Sequence, residues 1–236
     1  MPPPPASSCR TGSTSTKAGE ETAGPGSRLG PVRRLPLTDS RPVILPIYAY
    51  GQPVLRERAA EIETDSPELQ TLIDDMIETM HAAHGVGLAA PQIGRGLRLF
   101  VADLSPYAEE LAEEADGVVP DWAEGPVVFI NPVLELDEAC DEVDMEEGCL
   151  SIPDLRETVW RPDALVVRYL DRHFHEHTLP AVGQLARVIQ HEADHLDGVL
   201  YLDHLSPLRR RLLQRRLRAI ARGDAEADYP LAFAER

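Results

Sequence analysis

A chain of 236 residues with 43% hydrophobic and 27% charged side chains can bury a core of its own without disulfide staples. Its three cysteines are too few, and odd in number, for a cross-linked secreted scaffold, and no apolar run approaches the roughly 18 residues that span a bilayer. The net charge of −17 is concentrated in residues 42–205, which hold 9 basic and 33 acidic side chains; that body argues against its surface gripping nucleic acid unaided, and neither a membrane nor specific DNA is an expected partner.

Residues 1–40 open on Pro2–Pro5 and continue in Ser, Thr and Gly with hardly any large apolar side chain. They read as a disordered N-terminal extension, because they cannot bury enough surface to offset ordering entropy. The absence of an apolar h-region excludes a secretory signal. The alternative is an organellar transit peptide, opposed by Glu20, Glu21 and the proline run; the reading is otherwise cytoplasmic.

A folded domain is predicted over 41–205, with Pro42–Tyr48 as an extended lead-in. The first helix is predicted over 66–84. Asp65 or Ser66 caps it, Pro67 fits its first turn and Glu68 complements the dipole. Leu69, Leu72, Ile73, Met76, Ile77 and Met80 recur at helical spacing as its core face, and Gly85 suits its stop. Strands are predicted at Leu97–Ala102, Val127–Val133, Thr158–Trp160 and Ala164–Leu170. Between the first two, residues 105–125 carry seven acidic side chains and no basic one, the composition of an exposed loop or short helix.

After a hairpin turn at Asp171–Phe174, a second helix is predicted over about 184–197, with Leu185, Val188, Ile189 and Leu196 apolar and Gly198 past its end. The segment 206–236 is basic. A third helix over 206–222 has Leu208, Leu212, Leu213, Leu217 and Ile220 as its apolar stripe, and seven arginines lie between Arg209 and Arg222 with no acidic residue.

The second helix carries the strongest chemical signal, His191-Glu192-Ala193-Asp194-His195. Residues four apart lie one above the other, so both imidazoles can bind one metal ion, with Glu192 beside them to move a proton of a bound water. A catalytic site needs a third protein ligand. Asp197, Asp203 and His204 downstream and Cys149 upstream, in Glu147-Gly148-Cys149-Leu150-Ser151, are the candidates. A third cluster, Gly85-Val86-Gly87-Leu88-Ala89-Ala90-Pro91-Gln92-Ile93-Gly94, admits another backbone at close range. It lacks the spacing of a nucleotide loop.

In this order the three clusters resemble the peptide deformylase family over about 42–205, reinforced by Phe129-Ile130-Asn131-Pro132 and by Leu185-Ala186-Arg187 leading into Gln190. The resemblance implies an α+β fold, with antiparallel strands and sheets packed around a central helix carrying HExxH, and a C-terminal helix. It implies a hydrolase that takes the formyl group from the N-terminal methionine of nascent polypeptides. Cys149, His191 and His195 would be the metal ligands. The metal would be ferrous iron, with zinc, nickel or cobalt able to substitute.

By the same resemblance Glu192 is the general base and acid, and the Gln92 side chain and Leu150 backbone N–H stabilise the oxyanion. Val86, Gly87 and Gly148 would bind the substrate backbone, Val188 and His191 would wall a methionine pocket, and Glu147 with Arg156 would form a supporting ion pair. The helix over 206–222 is expected either to dock on the ribosome or to pack on the domain with its arginines solvated. The rival readings are a metallopeptidase of the HExxH type, disfavoured by Cys149 and the glycine loop, and a chemically inactive nascent-chain binder, disfavoured because every expected group is present.

Overall fold

The computed structural model describes residues 41–105, 124–136 and 140–234. The extension 1–40 and nearly all of the acidic insert 105–125 lie outside the described residues. In chain order the elements are β1 (Ile47–Tyr48), α1 (Pro67–Ala82), β2 (Gly87–Ala89), β3 (Leu99–Ala102), β4 (Val127–Leu136), β5 (Glu142–Cys149), β6 (Ile152–Pro162), β7 (Ala164–Leu170), β8 (Glu176–Val182), α2 (Gly183–Leu196), α3 (Pro207–Ala221) and β9 (Leu231–Ala232).

The largest sheet has five antiparallel strands in the order β2-β3-β4-β7-β8, and β5 and β6 form a separate antiparallel hairpin. A third, two-stranded pairing joins β1 to β9 in parallel. The α+β class with antiparallel sheets and a C-terminal helix is therefore as expected, while the parallel pair was not anticipated.

Ser66 caps α1, its Oγ accepting the Leu69 N–H at 3.1 Å. Leu69, Ile73, Met76 and Met80 are buried, as their spacing predicts. The stop differs. His84, not Gly85, takes the left-handed conformation, with φ of 53°. Gly85 is needed for space instead, since a β-carbon there would meet Leu150 Cδ1 at 2.8 Å.

β5 escaped prediction because four of its eight residues are acidic, a composition poor in strand formers. Pairing with β6, from Glu142 opposite Pro162 to Gly148 opposite Arg156, supplies what local propensity lacks. β6 is much longer than the predicted Thr158–Trp160. Its alternation buries Leu155, Glu157, Val159 and Arg161 while Asp154, Arg156, Thr158 and Trp160 face outward.

β8 runs directly into α2, whose residues are buried almost all round. Leu185, Ala186, Val188, Ile189, Ala193 and Leu196 join Phe100, Phe129 and Val167 in one core. Arg187, Gln190, His191, Glu192 and His195 are buried too, so the polar side of this helix faces protein rather than solvent. α3 uses only part of its predicted stripe. Leu217 and Ile220 are buried, whereas Leu208 and Leu212 stay exposed at 71% and 65%.

Candidate metal centre and active-site cleft

The β5–β6 hairpin turns through Leu150 and Ser151, with Cys149 opposite Ile152. This turn brings Cys149 against α2, where His191 and His195 stand one helical turn apart, their rings 5.1 Å apart and nearly perpendicular. The ligand atoms of Cys149, His191 and His195 all lie within 4.8 Å of one another. Cys149 Sγ is 3.3 Å from His195 Nε2. Asp197, Asp203 and His204 are engaged elsewhere. Asp197 pairs with Arg98 at 2.8 Å, Asp203 with Arg56, and His204 with Asp194 at 2.8 Å.

Each ring nitrogen of His191 has a distinct task. Nδ1 meets Glu147 Oε2 at 2.8 Å, which leaves Nε2 for the centre, the usual carboxylate–imidazole arrangement around a ligating histidine. Glu147 is held in turn by Arg161, at 2.7 and 3.0 Å, and by Arg187 at 2.9 Å. Arg161 also reaches Asp194 at 2.7 Å. Burial opposes ionisation of Glu147, but the His191 and Arg161 contacts outweigh it and hold the carboxyl well below its ordinary range.

The expected Glu147–Arg156 pair is thus a correction. Arg156 lies on the outward face of β6 and approaches Glu146 at 3.5 Å, both side chains about two-thirds exposed. Strand parity decides this: Arg161, at an odd position, shares the inward face with Val159 and Glu157. That alternation was the one signal by which Arg161 could have been found. Arg187 stood beside the motif but gave no sign of its carboxylate partner.

The donor set suits a divalent transition-metal ion. Burial resists ionisation of Cys149, yet His195 and His191 more than offset it and bring the thiol down to about 5. Among the described residues, the buried side-chain polar atoms without a hydrogen-bond partner are Glu192 Oε2 and His195 Nδ1. A buried polar atom left unpaired is costly, and Glu192, which carries one of them, lines the cleft at this centre; His195 Nδ1 lies on the side of its ring away from the Nε2 that meets Cys149. Burial pushes the Glu192 carboxyl up to about 7, against the pull of the two histidines.

Gln92 is buried with its Oε1 accepting the Ala89 N–H at 2.8 Å. Its Nε2 donates to Cys149 Sγ at 3.5 Å and, at a long 3.3 Å, to Ser151 Oγ. A cleft of about 610 Å³ opens over the centre. Val86, Gly87, Gln92, Glu147, Gly148, Cys149, Leu150, Arg156, Val188, His191 and Glu192 all line it; Tyr229, from beyond α3, completes the wall. His195 lies behind them, almost fully buried.

Comparison with known proteins agrees with this geometry. The family model described as polypeptide deformylase matches residues 44–211. A peptide deformylase of Salinibacter ruber is 54% identical over 189 residues, covering 80% of this chain and 94% of that protein. One from Christiangramia forsetii is 45% identical over 193 residues, covering 81% and 96%. Among solved structures, a peptide deformylase from Legionella pneumophila superimposes with a TM-score of 0.64 at 38% identity, covering 78% of this chain and 99% of that one. The Ehrlichia chaffeensis enzyme in complex with actinonin gives 0.66 at 33% identity, with the same coverage.

Proposed function

The chain belongs to the polypeptide deformylase family, hydrolases that remove the N-formyl group from the N-terminal methionine of nascent polypeptides, and we propose how its own residues carry out that reaction. The observation that carries the proposal is the convergence of Cys149, His191 and His195 beside the unpaired Glu192 carboxylate. α2 is then the central helix of the fold, and its HExxH residues are the working face.

Cys149, His191 and His195 would hold ferrous iron, with zinc, nickel or cobalt as substitutes; such an ion supplies Lewis acidity and eases ionisation of water near neutral pH. Water adds to the formyl carbon. Glu192 takes one of its protons and passes it to the methionine nitrogen as the C–N bond breaks, leaving formate and a free amine. Gln92 Nε2 and the Leu150 N–H donate to the oxyanion that develops on the formyl oxygen. Losing one such donor typically costs a factor of about 10²–10³ in kcat. Gln92→Ala therefore matters far more than Leu150→Ala, because the Leu150 contribution is backbone.

The substrate lies extended against the backbone of Val86, Gly87 and Gly148, in the manner of an added strand. Its methionine side chain sits against Val188 and His191. Glu147, with Arg161 and Arg187, supports rather than reacts. The exposed arginines of α3 suit docking on ribosomal RNA where nascent chains emerge, and the enzyme would act in the cytoplasm. No helix among the described residues is long and apolar enough to cross a membrane.

The direct test is formate release from a formyl-Met peptide by anaerobically prepared protein, alongside Glu192→Ala. That variant should keep its metal and lose turnover. Cleavage of internal peptide bonds without formate would overturn the proposal in favour of a peptidase.

A further inference from the structure

The cleft receives one side chain that no motif announced. After α3 the chain passes Gly223, in the left-handed region with φ of 85°, and returns to lay β9 beside β1. There Ile47 N–H bonds Pro230 O at 2.8 Å and Ala49 N–H bonds Ala232 O at 2.9 Å. Leu231 and Phe233 pack into the core formed by Ile152, Leu155 and Leu217. This anchorage carries Tyr229, which lies beyond the span of the family match, to the rim of the cleft. Its hydroxyl donates to the Leu150 carbonyl oxygen at 2.8 Å.

Leu150 and Ser151 form the two-residue turn of the β5–β6 hairpin, where ladder hydrogen bonds cannot reach every carbonyl. The Ser151 carbonyl is held by the Tyr50 N–H at 2.7 Å, and the Leu150 carbonyl is held by Tyr229. With Cys149 fixed by its pairing with Ile152, both sides of Leu150 are pinned. We propose that Tyr229 is a positioning residue for deformylation: its hydroxyl fixes the peptide between Leu150 and Ser151. With Cys149 held on the other side, this limits rotation of the preceding peptide, whose Leu150 N–H serves the oxyanion. The inference rests on the oxyanion role proposed for that N–H. Burial, reinforced by the charges of Cys149, Asp154 and Asp228, lifts the phenol to about 12, which keeps it a donor at neutral pH.

The test is Tyr229→Phe in the full chain, which removes one hydroxyl and leaves the ring packed. Full loss of one oxyanion donor costs a factor of about 10²–10³ in kcat, and loosening a donor without removing it costs less, about three- to tenfold. The expected result is a fall in kcat of that size on a formyl-Met peptide, with KM within about twofold. Metal content should be unchanged, the melting temperature should fall by no more than about 5 °C, and the Leu150 amide resonance of the zinc-loaded protein should be displaced. An unchanged kcat or an unmoved Leu150 resonance overturns the proposal. So does activity lost together with metal and with a larger fall in melting temperature, which would mark Tyr229 as merely structural. Failure of the parent protein itself to release formate is a separate outcome, one that strikes the assigned reaction and not Tyr229.

Discussion

Gly87 presses its backbone against the side chain of Glu192 so closely that a β-carbon at position 87 would lie 2.7 Å from Glu192 Cδ. The glycine therefore sets where the proton-carrying carboxylate stands. Gly87→Ala must move that carboxylate, and a displacement of about 1 Å can cost on the order of 10² in rate. Glu192→Ala should lose about 10²–10⁴. Steady-state kinetics with metal analysis checks both, and wild-type turnover in Gly87→Ala would refute the packing claim.

The lifted carboxyl of Glu192 makes a prediction about stability after chelation. A group whose folded pKa rises from 4.5 to about 7 binds its proton more tightly when folded. Its contribution is complete below 4.5 and is lost as pH climbs through 7. Glu192→Gln should therefore be more stable than the parent at about pH 8, by a few kcal/mol, with the difference much reduced near about pH 5. Urea denaturation of the metal-free proteins at both pH values measures it. A difference that grows toward acid would contradict the assigned sign.

The two arginines of β6 should behave in opposite ways. Arg161 is buried and bonded to both Glu147 and Asp194. Arg161→Ala takes a charged partner from each carboxylate, leaving Glu147 to Arg187 and His191 and Asp194 to His204, and should cost up to about 3–5 kcal/mol. It should also weaken metal affinity about 10–100-fold through His191. Arg156→Ala touches only an exposed pair, worth about 1 kcal/mol at most. Because Glu147 is held below its ordinary range, its contribution to stability is present above about pH 4.5 and is lost as pH falls below it. Equal destabilisation by the two substitutions would undo the assignment of Arg161, rather than Arg156, as the partner of Glu147.

Ribosome docking is best tested by charge reversal, not by deletion. Deleting residues 206–236 would take away the buried Leu217 and Ile220 as well as Tyr229. Arg211, Arg215 and Arg216 are exposed, and Arg209 is already bonded to Glu157 at 2.6 Å. The double variant Arg211→Glu and Arg215→Glu should weaken ribosome co-sedimentation, most clearly at low salt. Activity on short formyl peptides should stay intact. Co-sedimentation unchanged at low salt would leave α3 as a packed helix alone.

Local patterning was enough to read α1, α2 and the strands β3, β4 and β7 from the sequence; in the helices Leu69, Ile73, Met76 and Leu185, Ile189, Leu196 repeat at the spacing that buries them, while β2 and β8 of the same sheet went unread. The spacing of His191 and His195 likewise carried its own geometry, since one helical turn brings them together. Other relationships had no local signature. Whether Glu147 met Arg156 or Arg161 depended on the parity and length of β6, which long-range pairing with an acidic strand sets. Tyr229 reaches Leu150 across 79 residues because β9 finds β1, and two residues of pairing leave no pattern to read. Chemistry confined to one helix was legible in the residues themselves. The shell that orients it is built from contacts between segments far apart in the chain, and only folding brings those together.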